Sequence, residues 1–172
     1  MFPVLNEIVI PRQTLIVLCG PAASGKSSWA AKHFTQTQVV SSDECRGLIC
    51  DDPANQTVTP LAFELMYSII DKRLHLGRLT IADATNLKRE HRRHLIEIAN
   101  RVHFNAVAIV FNLPMEICAA RNAGRARKVP EEALLDQFAL LQKTLRKINN
   151  ERFNAVYTLD QYTEETVSVQ IT

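Results

Sequence analysis

The chain has 172 residues, 47% of them apolar, with a formal net charge of +2. This is the size of one domain with a substantial core, and the near-balanced charge excludes non-specific attraction to a polyanion, so any such affinity must come from local clusters of basic residues. No apolar run approaches the roughly eighteen residues of a membrane span, and Met1–Arg12 lacks a charged-then-apolar leader pattern, which predicts a cytoplasmic protein with no membrane contact.

Thr14–Cys19 is a short apolar run of buried-strand type. It leads into Gly-Pro-Ala-Ala-Ser-Gly-Lys-Ser at residues 20–27, which meets G-x-x-x-x-G-K-S/T at every fixed position, and Ser28–Lys32 then reads as helix. Strand, glycine loop and helix is the context that a phosphate-binding P-loop requires. Gln38–Ser41 is a short second strand, Asp43–Ile49 forms one or two helical turns, and 51–59 is a polar loop. Thr59 and Pro60 mark a helix start, after which Leu61, Leu65, Met66, Ile69 and Ile70 recur at helical spacing up to Gly77. A third strand, Leu79–Ala82, ends in Asp83; a helix over Arg92–Val102 presents Leu95, Ile96, Ala99 and Val102 on one face. Ala106–Phe111 is a fourth strand, Pro114–Arg121 and Pro130–Lys147 are helices, and Ala155–Leu159 is a fifth strand. The tail from Gln161 to Thr172 is too short for another domain. Alternating strands and helices predict an α/β fold, a parallel sheet with helices on both faces, over a single domain spanning 1–172.

The P-loop identifies the donor chemistry expected of this fold, a nucleoside triphosphate such as ATP with Mg²⁺. Gly20 and Gly25 free the backbone so that the N–H groups of the loop, with Ala23, Ser24 and Ser28 among its candidate contacts, turn onto phosphate oxygens. Lys26 adds a point charge, Ser27 a hydroxyl for Mg²⁺, and the following helix its positive end. Asp83, at the end of an apolar strand, is a rival carboxylate to Asp43 whose place resembles that of the acid that helps to hold Mg²⁺, often through water, which reads as a metal-side or structural role. Asp43 and Arg46, three apart on one helix face, pair a candidate proton acceptor with a cation for an adjacent anion; the alternative makes Asp43 a helix cap with Arg46 a solvated neighbour. Arg121-Asn-Ala-Gly-Arg125-Ala-Arg127-Lys128 sets four cations in eight residues between two helices. It suits a basic lid over about 121–130 that closes on a triphosphate, or a solvated loop. Lys88, Arg89, Arg92 and Arg93 form a second basic run, either a nucleic-acid contact or an ordinary polar helix face. His91 and His94 share a face expected to be solvated. Cys19, Cys45, Cys50 and Cys118 form no C-x-x-C pair and are expected to be reduced and mostly buried. There is no N-K-x-D element, no D-x-x-G after the third strand and no L-S-G-G-Q signature, which leaves a small phosphoryl-transfer enzyme.

In order, the P-loop, Ser41-Ser42-Asp43-x-x-Arg46, Asp83-Ala84-Thr85-Asn86 and Arg121-x-x-x-Arg125 resemble the polynucleotide 5′-kinase family, most closely the kinase module of bacterial polynucleotide kinase-phosphatases of RNA end repair. The resemblance runs from about Leu15 to Val169. It implies that Asp43 is the general base on the 5′-hydroxyl of RNA or DNA and that Arg46 orients the acceptor. It also implies that Lys26, Ser27, Arg121 and Arg125 serve the donor phosphates, and that Gln56 and Thr85 hold the acceptor's next phosphate. In that family phosphatase and ligase-like modules follow the kinase, which makes such modules candidate partners. The spacing of further arginines varies there, so Arg127 and Lys128 receive no assigned contact. The alternative is a small-molecule P-loop kinase acting on an antibiotic or a sugar.

Overall fold

The computed structural model describes residues 7–172; the expectation of no leader over Met1–Arg12 lies partly outside them. Five strands form one fully parallel sheet: β2 (Thr14–Cys19), β3 (Val39–Ser41), β4 (Thr80–Asp83), β5 (Asn105–Phe111) and β6 (Ala155–Leu159), in the order β3-β4-β2-β5-β6. All six residues of β2 are buried because both of its faces are covered. Leu15, Val17 and Cys19 point into one core with α3 (Thr59–His75), α4 (Arg89–Arg101) and α6 (Glu131–Lys147). Ile16 and Leu18 point into the other, with α1 (Lys26–His33) and α5 (Met115–Ala123). A strand buried on both faces has to be a continuous apolar run, which is how this one reads in the sequence.

The predicted strands and helices occur within two or three residues of their expected limits, with α2 (Ser42–Cys50) the short helix after β3. On α3 the buried row is Ala62, Met66, Ile70 and Leu74, while Leu61 is 53% exposed; the apolar face is turned by one residue from the expected one. Two strands were not anticipated. β1 (Glu7–Ile10) and β7 (Ser168–Ile171) pair in parallel as a separate two-stranded sheet, so the tail returns to the beginning of the described chain. Ile8 and Ile10 are fully buried and Val9 is exposed, an alternation that marks a half-covered strand. Cys19, Cys45 and Cys118 are buried and Cys50 is partly so. Among the described residues no helix is long and apolar enough to cross a membrane.

Candidate functional site

β2, β3 and β4 all end at one edge of the sheet, and a cleft of about 1070 Å³ opens there, where ligands of parallel α/β sheets bind. The P-loop forms one wall. Gly25 caps α1 at φ 91°, a conformation that costs a residue with a Cβ. Gly20 lies so close to Phe111 and Ser24 that a Cβ would sit 2.9 Å from the Ser24 Oγ and 3.0 Å from the Phe111 Cβ. Its N–H donates to the Thr85 carbonyl at 2.9 Å, which pins the loop to the end of β4. Ala23, Gly25, Lys26, Ser27 and Ser28 line the cleft, whereas Ser24 is fully buried beneath the loop.

Lys26 donates to the Pro21 carbonyl at 2.7 Å and to Ser24 Oγ at 3.4 Å. Burial pushes its ammonium below the ordinary value, with Asp83 opposing and Arg125 reinforcing the shift. The Ser27 hydroxyl donates to Asp83 Oδ2 at 2.7 Å, joining residues 56 positions apart. Burial raises the Asp83 carboxyl, against the pull of Lys26 and of the Ser27 hydrogen bond. Both charges are thus only partly compensated by each other. A hydroxyl and one carboxylate are a suitable protein donor set for Mg²⁺, which keeps several waters and relies on phosphate oxygens for the rest of its shell.

The opposite wall is built on α2. Ser41, not Asp43, caps this helix, with its side chain accepting from the N–H groups of Asp43 and Glu44, so the Asp43 carboxylate is left free to face the cleft. Asp43 pairs with Arg46 on its own helix and with Arg127 from the lid, at 3.0 Å. The Arg46 side chain is 7% exposed and that of Asp43 47% exposed, so a fixed guanidinium holds an accessible carboxylate. Arg46 Nε also lies 3.4 Å from Thr59 Oγ1, which in turn donates to Gln56 Oε1 at 3.3 Å. Gln56, Thr85, Lys88, Phe63 and His91 line this half of the cleft.

Several residues of the site carry no local sequence signal. Gln137 Oε1 accepts the Ala22 N–H at 2.7 Å, so α6 braces the P-loop. Glu164, buried in the tail, receives both terminal nitrogens of Arg121, at 3.2 and 2.5 Å, and its Oε2 would lie 2.7 Å from a Cβ on Gly25. Arg121 is therefore neutralised beside the P-loop, whereas Arg125 lines the cleft near Lys26 with no carboxylate paired to it among the described residues. Arg127, left without a contact by the sequence, makes one of the two ion pairs to Asp43.

On α4 the structure departs from the sequence reading at Arg92 and at His91. Arg92 is 2% exposed, paired with Glu151 at 2.6 Å and bonded to the Asn86 carbonyl and Thr144; it is a strut under the loop after Asp83 and not part of a basic surface. His94 is exposed, as a solvated face requires, but His91 is half-buried. The rings of His91 and His94 meet Phe63 and Tyr67 of α3 in tilted contacts with centroids 4.4 Å apart, because α4 packs against that helix.

A protein-family model described as an AAA domain matches residues 15–147. No curated protein matches the sequence. Among solved structures, a chain in a Pnkp1/Rnl/Hen1 RNA repair complex is 21% identical, with a TM-score of 0.67 over 81% of this chain and 47% of that one. An unliganded sugar kinase from Janibacter sp. HTCC2649 is 19% identical, with a TM-score of 0.58 over 86% and 84%. The Mycobacterium tuberculosis APS kinase CysC, in complex with AMPPNP and APS, is 17% identical, with a TM-score of 0.55 over 90% and 93%. With the P-loop, the parallel sheet and the match over most of its length taken together, the chain belongs to the AAA domain family and has a P-loop kinase-like fold.

Proposed function

We propose that this protein is an ATP- and Mg²⁺-dependent kinase that phosphorylates the 5′-hydroxyl end of a polynucleotide. The observation that carries the proposal is the position of Asp43 in the half of the cleft opposite Lys26, held between Arg46 and Arg127. Arg46 engages Oδ1 and Arg127 engages Oδ2 of this half-exposed carboxylate, so withdrawal of the lid arginine would free Oδ2 to take the proton of an entering hydroxyl. The partly compensated charges at Lys26 and Asp83 suit a triphosphate and a divalent cation respectively, each of which would complete the compensation. When bound, Mg²⁺ would draw charge from the bridging phosphate oxygens. Lys26 and Arg125 would hold the donor phosphates, and Arg127 would leave Asp43 as the acceptor enters.

The same cleft is lined by Arg46, Gln56, Thr85 and Lys88 and by the ring pair Phe63 and His91. Cations and amides beside an aromatic face are what a strand of alternating phosphates and bases requires. The RNA-repair structure supports the same reading, and since this chain spans 47% of that neighbour, phosphatase or ligase modules are proposed partners in a repair system. A small-molecule kinase is the second reading, favoured by the sugar kinase and the APS kinase, which this chain covers over 84% and 93% of their lengths.

The deciding assay offers γ-labelled ATP and Mg²⁺ with 5′-OH RNA, 5′-OH DNA and a panel of sugars and other metabolites. Label should enter the oligonucleotides. Arg46→Ala should raise KM for oligonucleotides with KM for ATP nearly unchanged, and should abolish a preference for a nucleoside 3′-phosphate over the plain nucleoside. Transfer to a metabolite alone, or no 3′-phosphate preference in the unaltered protein, would establish the second reading.

A further inference from the structure

At the other end of the sheet lies a separate cavity of about 630 Å³, whose polar lining includes Arg12, Arg73, Arg78, His33, Thr35 and Gln38. It is the mirror of the cleft in position and its opposite in charge pattern. The cleft interleaves acids with its bases, whereas no aspartate or glutamate lines this cavity. Among the described residues none of its three arginines forms an ion pair, and residues 1–6 contain no acid.

Arg73 is fixed in place. Its Nε donates to Thr80 Oγ1 and its Nη2 to the Leu79 carbonyl, each at 3.1 Å. The hydroxyl of Thr80 is turned away in the same network, donating to the Arg78 carbonyl at 2.9 Å. Gly77, at φ 71°, makes the turn that returns Arg78 beside Arg73, and nothing lies within 4 Å of where its Cβ would be. Burial and then the neighbouring Arg78 both push the Arg73 guanidinium below its ordinary value. A fixed guanidinium at Arg73 thus shares the cavity wall with Arg78, and neither forms an ion pair among the described residues. Arg12 is set by its N–H to the Thr172 carbonyl at 2.9 Å, where β1 and β7 meet. His33 adds no fixed cation at neutral pH, since burial and Lys32 lower it. A cluster of like charges costs energy unless it has a ligand, and planar guanidinium forks match tetrahedral oxyanions.

We propose that this cavity is a second anion site, distinct from the cleft, which binds a phosphate-bearing ligand through Arg73 and Arg78 with Arg12 at its rim. Inorganic phosphate and the phosphodiester backbone of a strand present the same chemistry to it, and the experiment separates them.

Binding is measured by titration calorimetry in a Lys26→Ala/Arg46→Ala background, where the cleft has lost its main phosphate contacts. The probes are inorganic phosphate and a twelve-nucleotide 5′-OH oligonucleotide. Arg73→Gln and Arg78→Glu are each added to that background. Arg78 is exposed, and its hydrogen bonds run through its backbone, the N–H to the Arg73 carbonyl at 3.0 Å and the carbonyl from Thr80 Oγ1, so Arg78→Glu should keep the melting temperature even where Arg73→Gln disturbs the turn. Loss of one charge-assisted contact should weaken the probe about tenfold or more. If the oligonucleotide is the ligand, the slope of log K against log salt should also fall by roughly 0.7 for each arginine removed. Weakening of phosphate alone identifies a free-anion site, and weakening of both identifies a strand site. Unchanged binding of both probes in Arg78→Glu, or no binding of either in the background protein, overturns the proposal.

Discussion

The two walls of the cleft are made in different ways. The donor wall is one continuous stretch, residues 20–28, whose backbone is set by Gly25, by the close approach at Gly20 and by the start of α1. The facing wall draws on α2, the loop at Gln56, α3, α4 and the lid, and its central carboxylate is held by a residue 84 positions away. A phosphate cradle needs only successive N–H groups and one cation, which a short loop provides. A hydroxyl acceptor has to be held, deprotonated and selected, which takes side chains from several elements. The donor wall should therefore fail through single residues of the loop, and the facing wall through the geometry that surrounds Asp43.

The largest expected effect is at Asp43. Asp43→Ala should lower kcat by roughly 10²- to 10⁴-fold with ATP affinity little changed, and Asp43→Asn should do as badly because it cannot accept the proton. Steady-state kinetics with direct ATP-binding measurements test this. Should Asp83→Ala abolish transfer with ATP affinity intact while Asp43→Ala is mild, the two walls would have to exchange roles. Next is Lys26→Ala, which removes the buried ammonium of the donor wall and should cost on the order of 10²- to 10³-fold in turnover together with weaker ATP binding. A variant that retains more than about a tenth of turnover would show that the P-loop is not the donor site.

The third comparison separates a strut from a contact within one basic run. Arg92→Met leaves Glu151 buried without its partner and should lower stability by about 3–5 kcal/mol, measured by denaturant unfolding, with KM for the acceptor unchanged. Lys88 lines the cleft, so Lys88→Ala should raise that KM with stability preserved. If Arg92→Met altered the acceptor KM and spared stability, the basic run would be a binding surface after all.

These contrasts also explain what was legible in the chain. The apolar run Thr14–Cys19, the glycine loop and the alternation of strands and helices read directly because each depends on neighbours within a few residues. The cap of α2 did not read directly, since Ser41 and Asp43 are both competent caps and only the backbone decides which one turns inward. The ring contact of His91 with Phe63 was not legible because a polar helix face reads as solvated until its packing partner is known.

By itself the sequence determined a parallel sheet with a nucleotide loop at its edge, because hydrophobic period and glycine position act locally along the backbone. Tertiary structure decided which charges meet. Ala22 and Gln137 are 115 residues apart, Arg127 and Asp43 are 84 apart, and Arg121 and Glu164 are 43 apart. Such pairs leave no periodic trace in the chain, since a single hydrogen bond or ion pair constrains only its two ends. They arise where the ends of the strands, the lid and the returning tail converge on one edge of the sheet.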